Sequence, residues 1–158
     1  MELVFGGGRV GLMGLVADAA LAAGGRVTGI IPSFLHGREL GHTGVSELIV
    51  VGSMHERKQR MFERSDAFVV LPGGLGTLDE AIEMITWKQL NLHDRPIVIL
   101  DIGGYWRPLS ALVEQTIGAG FAGPRVRSLF EVVETPEALM ATLAAAPEPS
   151  LPAAPERV

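Results

Sequence analysis

Apolar residues in this chain fall into short unbroken runs, separated by stretches with helical spacing. Leu3–Phe5, Val27–Ile31, Leu48–Val51, Ala67–Leu71, Pro96–Ile102 and Leu129–Val133 are rich in Val, Ile and Leu. Strands covered on both faces read this way. Between them lie helical patterns. Leu12–Ala23 sets Leu12, Leu15, Val16, Ala19, Ala20 and Ala23 on one face, and Met54–Arg64 is strongly charged. Thr77–Leu90 is amphipathic, and Pro108–Ile117 and Pro136–Leu143 follow. The alternation predicts an α/β fold with a Rossmann-type parallel sheet and right-handed crossovers. Residues 1–144 are expected to form a single Rossmann-like domain. Residues 145–158 hold four of the ten prolines and are expected to be a disordered tail. The first strand runs straight into Gly6-Gly7-Gly8, whereas a doubly wound sheet usually opens with a complete strand–helix unit. That strand is therefore expected to be an edge, or the chain to lack a preceding unit.

Composition narrows the function classes. The 158 residues suffice for one domain with a core. A net charge of −5 argues against nonspecific nucleic-acid binding. The absence of cysteine removes disulfides, thiolate nucleophiles and cysteine-bound zinc. No apolar run approaches the roughly 20 residues that span a membrane. Met1-Glu2-Leu3-Val4-Phe5 lacks a signal peptide's basic start and cleavage site, so a cytoplasmic location is the expectation.

Three clusters carry candidate chemistry. Pro72-Gly73-Gly74-Leu75-Gly76-Thr77-Leu78-Asp79-Glu80 joins an apolar run to an amphipathic helix. Its glycines admit close backbone approach, and a helix N-terminus at Gly76-Thr77 offers free N–H groups to a phosphate. Glu80, Glu83 and Trp87 share one helix face. The competing view is a capped surface helix whose Glu80 complements the dipole. Gly6-Gly7-Gly8-Arg9-Val10-Gly11-Leu12-Met13-Gly14 also sits between a strand and a helix. It reads as a phosphate turn at Gly7 and Gly8, or as a tight turn with glycines for packing. Dinucleotide binding needs an acid ending the next strand, roughly 20 residues on. Ile30-Ile31-Pro32-Ser33 has none. The third cluster is Ser53-Met54-His55-Glu56-Arg57-Lys58-Gln59-Arg60. Ser53 suits an N-cap. Arg57 and Lys58 suit an anion, unless the run is simply a solvated face.

Other chemistries find little support. The four histidines show no metal-ligand spacing, and neither Lys58 nor Lys88 suggests a Schiff base. No nucleophile elbow or Walker sequence occurs. Neither metal nor cofactor is expected.

Taken in order, the three clusters resemble those of the Lonely-guy (LOG) family, the cytokinin riboside 5′-monophosphate phosphoribohydrolases, often labelled "possible lysine decarboxylase". Ile85-Thr86-Trp87-Lys88-Gln89-Leu90 and His93-Asp94-Arg95-Pro96 are also typical, and the similarity runs from about residue 3 to residue 143. The resemblance implies hydrolysis of the N-glycosidic bond of a nucleoside 5′-monophosphate, AMP or a prenyl-adenine ribotide, releasing base and ribose 5-phosphate. It implies Arg57 and Glu80 as the catalytic pair. Glu39, Met54, Lys58, Gly73, Gly74, Leu75, Gly76, Thr77, Leu78, Asp79 and Thr86 would contact substrate. It also implies a homodimer, for which Ile82, Ile85 and Trp87 would suit the contact. Family members carry one more strand and helix before the first glycine motif. The expected architecture is thus a Rossmann-like three-layer parallel sheet lacking that first strand–helix unit. A non-catalytic nucleotide- or cofactor-binding protein of the same fold, like the molybdenum-cofactor carriers, stands as the alternative.

Overall fold

In the computed structural model, residues 1–36 and 41–150 are described. They divide into two compact units, the first Met1–Ser65 and the second from Asp66 onward.

The first unit alternates strand and helix: β1 (Glu2–Phe5), α1 (Gly11–Ala22), β2 (Arg26–Pro32), α2 (Ser33–His36), β3 (Glu47–Val51) and α3 (Met54–Glu63). The strands lie in the order β1-β2-β3, all parallel, with β1 at one end. Leu3 pairs with Val27 and Phe5 with Gly29 in register. Central β2 is buried from Val27 to Pro32, as a strand flanked on both sides should be. Phe5, Ala17 and Val27 form a core with Leu3, Ala20, Leu21 and Val45 packed against it.

Helix α1 presents a different face from the one its leucines suggest. Gly14 and Ala17 are the buried positions, while Leu12 and Leu15 are 46% and 66% exposed. Gly14 lies against the Arg9 backbone and Ala17 against Phe5 and Val27, so packing here follows size rather than hydrophobicity.

The second unit continues the alternation: β4 (Phe68–Val70), α4 (Leu75–Gln89), β5 (Ile97–Leu100), α5 (Arg107–Gly118), β6 (Glu131–Val133) and α6 (Pro136–Ala145). Its parallel order is β4-β5-β6. β5 is buried throughout, and Val98, Leu100 and Leu139 form a core with Leu71, Val133 and Leu143. Ser150 donates from its N–H and its hydroxyl to Asp94, at 2.8 and 2.6 Å. Among the described residues no helix is long and apolar enough to cross a membrane.

The connection from α4 to β5 is pinned by His93, which is 1% exposed. Its Nδ1 accepts the Arg95 N–H at 3.2 Å, so Nε2 carries the proton and donates to the Met84 carbonyl at 2.9 Å. Burial pushes the imidazole below its ordinary pKa. The Met84 carbonyl opposes that shift, Lys88 and Arg95 reinforce it, and Asp94 opposes it weakly. An unfolded chain takes up this proton near pH ~6.5, while the folded imidazole resists it to lower pH. The stabilisation is therefore complete above about pH 6.5 and declines below it, by at most about 1.4 kcal/mol per pH unit. Urea unfolding at pH 7.5 and at pH 5.5 should show the loss, and His93→Gln should flatten it. An equal slope in the variant would assign the pH dependence elsewhere.

Candidate functional site

In the first unit the glycine turn and the arginine helix come together. β1 delivers Gly6, Gly7 and Gly8, all buried, to the end of the sheet. Gly7 adopts φ +71°, a left-handed conformation that favours glycine, and a Cβ there would stand 3.0 Å from Ile31 Cβ. The turn is clasped from the other side. Gly8 bridges antiparallel to Gly41, and the His42 N–H donates to the Gly7 carbonyl at 2.8 Å. His42 accepts the Gly44 N–H on Nδ1 and donates from Nε2 to Asp18 at 2.9 Å, tying the clasp to α1.

Helix α3 begins with the cap its sequence suggests. Ser53 Oγ accepts the Glu56 N–H at 3.1 Å, and the Glu56 carboxylate reaches back to the Gly52 N–H at 2.9 Å. That start aims Arg57 inward. Its side chain is only 8% exposed, and Nε donates to the Ile30 carbonyl at 3.2 Å. The guanidinium lies against Gly6 so closely that a Cβ on Gly6 would coincide with Nη2. The first turn of α3 is thus not a uniformly solvated face: Arg57 is buried and Lys58 half-buried, while Met54, His55, Gln59 and Arg60 are exposed. Glu39 lies outside the described residues.

In the second unit β4 leads through Leu71-Pro72-Gly73-Gly74 into α4. The helix starts earlier than expected, at Leu75, with extended Gly74 as its N-cap and no side-chain cap. The first helical bond runs from the Leu78 N–H to the Gly74 carbonyl, so Leu75, Gly76 and Thr77 supply N–H groups with no acceptor inside the helix. Gly74, Leu75, Gly76 and Asp79 are exposed, and Gly73, Thr77, Leu78 and Glu80 half-buried. A carboxylate within two turns of a glycine-capped helix start is an arrangement for binding an anion and acting beside it.

The signature residues do not share one side of α4. At 100° per residue, Leu75 and Leu78 lie nearly opposite Glu80. They line a cavity of about 440 Å³ with Gly73, Tyr105, Trp106 and Leu112. Glu83 and Trp87, both half-buried, share the Glu80 side. Thr86 is exposed, about 120° round the helix from Glu80 and about 9 Å further along, so it is not brought to the signature turn. Ile82 is exposed, whereas Ile85 is buried.

One group escaped sequence reading. Tyr105 donates its hydroxyl to the Gly73 carbonyl at 2.7 Å. The accessible signal was position: Asp101-Ile102-Gly103-Gly104-Tyr105-Trp106 follows β5, at the same strand ends from which the glycine turn leaves β4. Among the described residues no group of three or more His, Asp or Glu side chains is arranged to hold a metal ion.

Comparison with known proteins places these residues in context. The family described as "Possible lysine decarboxylase" matches residues 13–143. The chain is 49% identical over 138 residues to a rice protein (Oryza sativa subsp. japonica) named "Probable cytokinin riboside 5′-monophosphate phosphoribohydrolase", covering 87% of this chain and 60% of that protein. It is 46% identical over 144 residues to the cytokinin riboside 5′-monophosphate phosphoribohydrolase of Rhodococcoides fascians, covering 90% and 73%. It is 43% identical over 143 residues to an Arabidopsis thaliana protein of the same name, covering 90% and 66%. Against the rice relatives the chain spans about three fifths of their length.

Proposed function

The chain belongs to the Lonely-guy family, and we propose that it hydrolyses the N-glycosidic bond of a nucleoside 5′-monophosphate, AMP or a prenyl-adenine ribotide. The observation that carries this reading is Glu80, set just inside a glycine-capped helix whose first N–H groups lack helical acceptors. The N–H groups of Leu75, Gly76 and Thr77 bind the 5′-phosphate without a metal ion. As the base leaves, positive charge develops on the ribose. The Glu80 carboxylate stabilises it, holds a ribose hydroxyl or orients water. Water gives hydroxide to C1′ and, in net terms, a proton to the departing base nitrogen, yielding free base and ribose 5-phosphate. Arg57 binds phosphate or polarises the leaving base, with Lys58 and Met54 at the nucleotide. The protein works as a homodimer in this reading.

Incubation of the chain with AMP and with isopentenyl-adenine ribotide, followed by chromatography for free base, tests the proposal. Base release from at least one is expected. Tight binding of both without turnover would overturn hydrolysis in favour of a nucleotide carrier.

A further inference from the structure

We propose that Tyr105 is a positioning residue that holds the signature turn in its phosphate-binding conformation. The inference rests on the functional reading above and adds a residue outside the three sequence clusters. Its starting point is the make-up of the turn itself. Gly73 and Gly74 have no side chains, and the N-cap of α4 makes no side-chain hydrogen bond. No acidic residue occupies the first helical turn. The Thr77 side chain lies directly against Gly73. Beyond that contact, the Gly73 carbonyl is fixed by the Tyr105 hydroxyl at 2.7 Å.

Tyr105 is itself 51% exposed and is anchored through its buried neighbour. Its ring meets the Trp106 indole edge-on, with centroids 4.9 Å apart at 86°. Trp106 is 4% exposed, and its backbone N–H donates to Asp101 Oδ1 at 2.6 Å. The Asp101 N–H donates in turn to the Val133 carbonyl of β6 at 2.7 Å. Gly103 and Gly104, at φ 65° and 78°, turn the chain back so that the phenol faces Gly73. A line of contacts therefore runs from β6 through Asp101, Trp106 and Tyr105 to the carbonyl that immediately precedes the helix cap. Fixing that carbonyl orients the peptide planes whose N–H groups must converge on a phosphate. Donors held in place before the ligand arrives bind it without a reorganisation cost.

Tyr105→Phe tests this, because it keeps the ring and its contact with Trp106 and deletes only the hydroxyl. Loss of one hydrogen bond of this kind corresponds to about a three- to tenfold change. KM for AMP should rise about three- to tenfold with kcat little changed, since phosphate binding is shared by ground and transition states. The Leu78 amide, which is bonded to the Gly74 carbonyl, should exchange with deuterium faster by a similar factor, while those of Ile97–Leu100 and the melting temperature stay close to wild type. In an active enzyme, an unchanged KM overturns the proposal, and so does a fall in melting temperature without change at the turn. If the wild-type chain releases no base, the hydrolase reading fails. Exchange at Leu78 then decides by itself whether Tyr105 holds the turn.

Discussion

Glu80→Gln should lower base release from AMP by about 10²–10³-fold or more, the usual loss when a charge-stabilising group is removed from a developing cation or anion. The substitution is nearly isosteric. A glutamine amide can still accept a hydrogen bond from a ribose hydroxyl, but it cannot neutralise an oxocarbenium ion or take a proton from water. Its measured effect therefore separates the roles open to this side chain. A large fall in kcat with KM preserved identifies charge stabilisation or water activation. A small effect on both assigns Glu80 to holding a hydroxyl, and full activity removes it from the chemistry. Glu80 is half-buried on the same side of α4 as Glu83 and Trp87, so deleting one charge there should leave the fold intact. The control is an unchanged circular dichroism spectrum and melting temperature.

Gly6→Ala should be nearly as damaging, though position 6 carries no chemistry of its own. The added methyl would fall on the Arg57 guanidinium, 2.7 Å from Cζ. Because the obstructed atoms end a flexible side chain, the arginine must leave rather than the backbone deform. Leaving breaks the bond from Nε to the Ile30 carbonyl, at a cost of about 1.5–3 kcal/mol for a hydrogen bond to a charged group. Activity that depends on the placed guanidinium should fall, and Arg57→Lys is expected to lower it to a similar degree. The stability effect can be isolated by a double-mutant cycle. In an Arg57→Ala background the same Gly6→Ala change should be almost neutral in urea unfolding, because the obstructing group is gone. Additive losses would show that alanine is rejected at position 6 for some other reason.

Much of this architecture could be read from apolar runs alone. Parallel strands buried on both faces, such as Arg26–Pro32 and Ile97–Leu100, are short continuous apolar runs, so their positions emerge directly. Helix faces were less transparent. In α1 the large residues Leu12 and Leu15 stay exposed, because Gly14 packs against the Arg9 backbone and Ala17 against Phe5 and Val27 of the sheet. Among site residues, type and spacing singled out Arg57 and Ser53, and the capped start of α3 follows from Ser53 and Glu56. The burial of Arg57 against Gly6 was not legible, because 51 residues separate them in sequence and only the parallel register of the first sheet brings them together. The helix start was misjudged by two residues, since a glycine cap leaves no side-chain signature. Tyr105 was missed for a related reason: its partner is a backbone carbonyl, which every residue possesses.

The edge-on pair of Tyr105 and Trp106 has an optical consequence. Tyr105 is the chain's single tyrosine, and its ring centroid lies 4.9 Å from that of Trp106. At such separation, light absorbed by the phenol passes to the indole before it can be emitted. The folded second unit should therefore glow as tryptophan alone, even when its tyrosine is excited. Any event that swings Tyr105 away from Trp106 would uncover phenol emission at shorter wavelength. The protein thus carries an intrinsic fluorophore pair at the neck of its glycine turn, sensitive to loosening there and requiring no label.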